Sequence, residues 1–183
     1  SYDDDYIIQE VYSYISMSTI NMYTFIICVD YRLSRIPGGL VRSICEIVFS
    51  FCKIEKNVAS FDDMNLQKNL LRGIYAYGLE KPSDIQQKII VPFVKGYDIL
   101  VQTFSTLDKY TSYAIGCLER LDLENATCQT LALCPSREFA MGVSKMYGAI
   151  GYYLNFKVHA CVGGCDVKED IRKLQDGVHV VLG

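Results

Sequence analysis

Tyr97-Asp-Ile-Leu-Val-Gln-Thr-Phe-Ser-Thr-Leu-Asp-Lys-Tyr-Thr-Ser-Tyr113 is the stretch on which the fold turns. Ile99, Leu100 and Val101 read as a buried strand, followed by a short polar loop. Lys109 then opens an apolar-periodic helix through Ala114, Ile115, Leu118 and Leu121. Strand, loop, lysine and helix form the layout of a phosphate-binding loop, in which backbone N–H groups and a helix N-terminus face an anion. The glycines of such a loop are missing: where G-x-x-x-x-G-K-[ST] ends in Gly-Lys-Thr, this chain has Asp108-Lys109-Tyr110. The stretch therefore predicts a nucleotide site stripped of much of its chemistry.

Outward from it, strand-like runs at 99–102, 130–134, 157–162 and 179–182 alternate with helical patterns at about 109–123, 137–151 and 166–175. That alternation predicts an α/β domain with a parallel sheet and helices on both faces. In such sheets ligands bind beyond the carboxyl ends of the strands. Upstream, Asn65 is a candidate cap for a helix carrying Leu66, Leu70, Leu71, Ile74 and Tyr75, and Gly78 ends it. Ser83 is the candidate cap of a second helix running to about Gly96.

Residues 1–59 differ in character and read as a separate N-terminal extension, with residues 60–183 forming the α/β unit. The extension is rich in Tyr, Ile, Val and Ser and breaks at Pro37-Gly38-Gly39. Beyond the break, Leu40, Val41, Ile44, Ile47, Val48 and Phe51 share one face at helical spacing, which predicts an amphipathic helix over about 40–53. With Arg42 and Lys53 its only cations, it suits a protein surface better than a lipid one.

With 183 residues, half of them hydrophobic and 21% charged, the chain can bury one ordinary core. A net charge of −3 excludes a general basic field, so any nucleic-acid contact must be local. The acidic start is unlike a secretory signal. The apolar run from Ile20 to Val29 is about half of the ~20 residues a bilayer span requires. Eight cysteines contain no C-x-x-C, Cys161 and Cys165 are the closest pair after the first segment, and both His159 and His179 lie in apolar runs. Reduced, buried thiols in the cytoplasm or nucleus are the expectation, with no metal site.

Phe61-Asp-Asp-Met-Asn-Leu66 and Leu70-Leu-Arg-Gly-Ile-Tyr-Ala-Tyr-Gly-Leu-Glu-Lys-Pro-Ser-Asp-Ile-Gln-Gln87 are similar to the opening of a DEAD-box ATP-dependent RNA helicase, of the eukaryotic translation initiation factor 4A group. Cys161-Val-Gly-Gly164, Glu169-Asp-Ile-Arg-Lys-Leu174 and Gly177-Val-His-Val-Val181 extend the resemblance over about 60–183. It implies the first RecA-like lobe, of the P-loop NTPase type, of a two-lobed machine. The implied nucleotide contacts begin with Phe61, the isolated upstream aromatic, and the Gly78-Leu79-Glu80-Lys81-Pro82-Ser83 stretch leading to Gln86. Gln86 would read adenine, since one carboxamide both donates and accepts. Leu79 stands where the family carries an aromatic, which weakens stacking.

The phosphate loop corresponds to Gln102-Thr-Phe-Ser105-Thr106-Leu107-Asp108-Lys109-Tyr110, with Ser105, Thr106, Leu107, Asp108, Lys109 and Tyr110 as its implied nucleotide contacts. By the resemblance, Lys109 would reach the β- and γ-phosphates. Thr106 and Asp108 replace glycines, where a left-handed backbone costs about 1–2 kcal/mol. Asp108 adds a carboxylate beside the phosphates, and Tyr110 replaces the threonine that would bind Mg²⁺. ATP and Mg²⁺ are thus implied cofactors whose binding by this chain is expected to be weak or absent.

Pro135-Ser136-Arg137-Glu138 matches the family's Pro-Thr-Arg-Glu, and Gly163-Gly164 its glycine pair. Both would contact an RNA backbone, the first at a helix start and the second through close approach. Taken alone, Pro-Ser-x-Glu is also an ordinary helix start. The family sequence continues beyond Gly183 into Thr-Pro-Gly-Arg, and its Asp-Glu-Ala-Asp box, Ser-Ala-Thr motif and second lobe are not among these residues. No catalytic residue is assigned, and phosphoryl transfer by this chain alone is not expected. The implied partners are RNA and translation-initiation or exon-junction scaffold proteins, not DNA or membrane. Alternatives are a non-catalytic RNA- or scaffold-binding module and the product of a decaying helicase gene copy.

Overall fold

The protein is seen in a computed structural model that describes residues 58–97, 99, 101 and 105–183, together with the backbone of 24–27. Four strands, β1 (Thr24–Ile27), β2 (Thr130–Leu133), β3 (Val158–Ala160) and β4 (Val180–Leu182), form one sheet in the order β1-β2-β4-β3. Every pairing is parallel: Thr24 lies opposite Thr130, Thr130 opposite Val180, and Val158 opposite Val180. Among the described residues, five α-helices connect or precede the strands: α1 (Lys68–Ala76), α2 (Asp84–Val94), α3 (Thr106–Glu119), α4 (Arg137–Ile150) and α5 (Val167–Gln175).

The parallel α/β architecture is the one expected, and three of its strands fall inside the runs read from the sequence. The fourth does not. Ile99 and Val101 lie outside any strand, and their neighbours 98, 100 and 102–104 are outside the described residues. The position beside β2 is instead taken by Thr24–Ile27, from the extension. Apolarity and β-branching suit both stretches to a strand, so composition alone does not decide between them. The expected helix over 40–53 also lies outside the described residues.

Side chains alternate across β4, and the two faces of the sheet have separate cores. Val180 and Leu182, with Ala132, face the larger core built from α1 to α4, where Leu70, Ile74, Ile90, Ile115, Leu118 and Ile150 are fully buried. Val181, with Leu131, Cys161 and Val178, faces the smaller one, against which Leu174 of α5 packs. At about 25 cal/mol per Å² of apolar surface, burial on both faces is the main force holding the sheet. Two helix pairs approach closely enough to exclude any side chain. A Cβ on Gly73 of α1 would lie 1.7 Å from the Ile150 carbonyl oxygen of α4, and one on Gly116 of α3 would lie 1.8 Å from the Phe93 ring of α2.

Helix starts follow local hydrogen bonding. The Ser83 hydroxyl accepts the Gln86 N–H at 3.4 Å while Gln86 Oε1 accepts the Ser83 N–H at 2.9 Å, a reciprocal capping box. Asn65 does not cap α1 as expected. It ends a short 3₁₀ turn (Asp62–Met64) in the left-handed region, φ 56°, and Gln67 precedes α1. Asparagine tolerates that conformation better than most residues, which explains the exchange of roles. Gly78, at φ 98°, closes α1. Among the described residues, no helix is long and apolar enough to cross a membrane.

Candidate nucleotide and nucleic-acid sites

Of the segment expected to cradle phosphate, 102–104 lie outside the described residues, and the remainder is helical from Thr106. α3 begins at Thr106, one turn before Lys109, with Ser105 in an extended conformation as its cap. The Ser105 hydroxyl accepts the Asp108 N–H at 3.2 Å, and its carbonyl accepts the Lys109 N–H at 3.3 Å. Among the described residues only Asn65 and Asn155 are non-glycine residues at positive φ, so the left-handed strain expected at Thr106 and Asp108 is not present. The two substitutions are accommodated by extending the helix backwards. This consumes N–H groups that would otherwise point at an anion.

The side chains follow the same course. Thr106 and Leu107 are exposed, and Asp108 is half-buried. Lys109 Nζ stands 5.0 Å from the centre of the Tyr110 ring. Tyr110 is buried between α3 and α4, its ring centre 4.5 Å from that of Phe139 and 6.3 Å from that of Tyr113. The residue at the metal-binding threonine position thus serves the core.

Gln86 is 1% exposed and both ends of its amide are engaged. Its Oε1 completes the capping box, and its Nε2 donates to Thr111 Oγ1 at 2.8 Å. The Thr111 hydroxyl donates in turn to the Leu107 carbonyl at 2.8 Å. Thr111 was missed from sequence; its only signal is a polar residue, beside the equally buried Ser112, on the inner side of α3. Around Gln86, Pro82 is buried, Leu79 is half-buried and Lys81 is exposed. Phe61 is fully buried with its ring edge against Tyr75, 6.3 Å between centres, so it presents no stacking face to solvent. Tyr75 Oη donates to Asp62 Oδ2, and that bond pushes the phenol's pKa upward.

The second group of residues converges on an open surface. Pro135, Ser136, Arg137 and Glu138 are all exposed at the start of α4, immediately after β2. The Ser136 hydroxyl caps α4 by accepting the Phe139 N–H at 3.3 Å. Arg137 Nη1 donates to the Gly163 carbonyl at 2.8 Å, joining the end of β2 to the loop after β3. Gly164 sits at φ 82°, and a Cβ there would meet Arg137 Nη1 at 2.6 Å. The conformation favours glycine at this position, and a side chain there would displace the Arg137 tip from its place. The guanidinium retains further N–H donors beyond the one given to Gly163.

Residues 83–183 match the DEAD/DEAH box helicase family model. The chain is 56% identical over 124 residues to Eukaryotic initiation factor 4A-1 of Arabidopsis thaliana, a match covering 68% of this chain and 30% of that protein. It is 42% identical over 154 residues to the ATP-dependent RNA helicase eIF4A of Chaetomium globosum, covering 84% and 36% respectively. Among solved structures, a DEAD box protein from the hyperthermophile Methanococcus jannaschii superposes with a TM-score of 0.65 at 31% identity, covering 69% of this chain and 34% of that one. The Saccharomyces cerevisiae dbp5 chain, solved with gle1 and ip6, gives 0.63 at 26% identity, covering 69% and 32%. The chain spans about a third of the length of the relatives it matches.

Proposed function

The chain belongs to the DEAD/DEAH box helicase family, and from that premise we propose that it is a nucleotide-impaired first lobe that retains an RNA-backbone contact. The onset of α3 at Thr106 carries this reading. A phosphate cradle needs free N–H groups and a lysine aimed into them, whereas here the Asp108 and Lys109 N–H groups are spent on Ser105. The family binds ATP with Mg²⁺, and the positions that would hold them here are Ser105, Thr106, Leu107, Asp108, Lys109 and Tyr110. That set fits poorly. Asp108 brings negative charge to the phosphates, and the Tyr110 side chain lies in the core. No step of ATP hydrolysis is assigned to these residues.

The RNA contact is assigned to the exposed Ser136, Arg137 and Gly164 and to the half-buried Gly163, whose carbonyl accepts from Arg137. A phosphate would accept from the remaining guanidinium N–H groups and from the first turn of α4. Backbone contacts of this kind position a strand without reading its sequence.

The deciding experiment is calorimetry of Mg²⁺-ATP against the unaltered chain and against Thr106→Gly, Asp108→Gly, Tyr110→Thr. No binding by the first and measurable binding by the second is the expected outcome. Family-like binding by the unaltered chain would sink the reading.

A further inference from the structure

A second cluster lies on the other side of the Gly163–Gly164 loop and has no part in the sites above. His159 on β3 places Nε2 2.7 Å from Asp170 Oδ1 on α5. Cys161, immediately after β3, is 5% exposed, and its Sγ, the His159 nitrogen and an Asp170 oxygen all lie within 4.8 Å of one another. We propose that His159, Cys161 and Asp170 form a site for a zinc-class divalent cation, with Cys165 as the fourth ligand.

The donor set argues for this class. One imidazole nitrogen, one carboxylate oxygen and one or two sulfurs are the ligands of tetrahedral zinc, whereas magnesium and calcium take oxygen alone. Bonds of about 2.0–2.3 Å place tetrahedral ligands roughly 3.3–3.7 Å apart, so side-chain rotations of about 1 Å suffice to open the His159–Asp170 pair and draw in the sulfur. Cys165 is exposed and follows Cys161 by four residues, across Val162 and the two glycines. Burial, followed by the charge of Asp170, pushes the Cys161 thiol up to about 12. A divalent cation reverses the preference, because the thiolate is then the partnered form. As each sulfur–metal bond forms, the thiol proton passes to solvent, and the His159–Asp170 hydrogen bond gives way to two metal bonds.

The arrangement escaped the sequence because its residues follow no zinc-ligand spacing. β3 brings His159 and Cys161 together, and α5 returns Asp170 to them from the opposite side of the loop. Occupied, the site would pin that loop between β3 and α5 and hold the Gly163 carbonyl in place for Arg137.

Titration of the full, reduced, tag-free chain with cobalt(II) tests this without reference to RNA or ATP. The expected result is a near-ultraviolet thiolate-to-cobalt band with intense visible bands of a tetrahedral ion, saturating at one cobalt per chain and displaced by zinc. His159→Gln and Cys161→Ser should weaken binding at least about ten- to a hundredfold. The variant Cys28→Ser, Cys45→Ser, Cys52→Ser should bind as the parent does. Absence of the bands, or their persistence in both His159→Gln and Cys161→Ser, overturns the proposal. Should circular dichroism find those variants unfolded, Asp170→Asn, which preserves side-chain volume, must show the same loss.

Discussion

Gln86 Nε2 of α2 donates to Thr111 Oγ1 of α3 at 2.8 Å, and this buried bond ties the helix pair before the phosphate segment to the segment itself. Because Gln86 Oε1 is already held by the Ser83 N–H, Thr111 is the partner that satisfies the other end of the amide. Thr111→Val keeps the shape and removes the acceptor. A buried donor left without its partner costs about 1–3 kcal/mol, so urea unfolding should find the variant less stable by that amount. A change below about 0.5 kcal/mol, the usual scatter of a surface substitution, would mean the bond contributes little.

Restoring the phosphate loop should lower stability. Tyr110 packs on Phe139 and Tyr113 in the main core, so Tyr110→Thr removes a large buried ring. Large-to-small changes of this kind cost about 2–5 kcal/mol. Thr106→Gly and Asp108→Gly each add roughly 0.5 kcal/mol by placing glycine in a helix. Thermal unfolding without nucleotide should show the triple variant melting well below the parent, and saturating Mg²⁺-ATP should recover part of the difference. Equal melting temperatures would contradict the buried placement of Tyr110.

The parallel sheet, the cap at Ser83 and the start of α4 were legible because each is written in local pattern: alternating apolar runs, a capping residue, a helix entry. The course of 105–110 was not. The glycine losses are readable and predict strain in a preserved loop, whereas a chain with no glycine there relieves the strain by starting its helix early. The resemblance implies Phe61 and Gln86 as site residues, but their burial depends on packing against Tyr75 and Thr111, which sequence does not display. The strand at Thr24–Ile27 is the same kind of case. From sequence its apolar run reads as too short for a membrane span, and only the fold determines that it pairs with β2.

Arg137 offers a test of the exposed surface. Arg137→Gln removes one cation and leaves the helix cap at Ser136 intact. Binding of single-stranded RNA should weaken to a similar degree for different sequences, and the slope of log K against log salt should fall by about one. Loss confined to one sequence would mean that the arginine reads bases instead of phosphate.

His179 makes stability depend on pH. The residue is buried, and its Nδ1 accepts the Lys157 N–H at 3.1 Å, an arrangement that requires the neutral ring. Burial first, then the Lys157 charge, hold its pKa below the ordinary value of 6.5. Above that value neither the folded nor the unfolded chain protonates this ring, and its contribution to stability is fully present. As pH falls below about 6.5 the unfolded chain takes up a proton that the folded one refuses, so unfolding becomes easier, and the loss levels off only below the folded-state pKa. Urea unfolding of the parent and of His179→Gln, compared between about pH 7.5 and about pH 5, isolates the effect from other groups. The parent should lose more stability than the variant on acidification. Parallel curves for the two proteins would show that this ring does not govern the acid response.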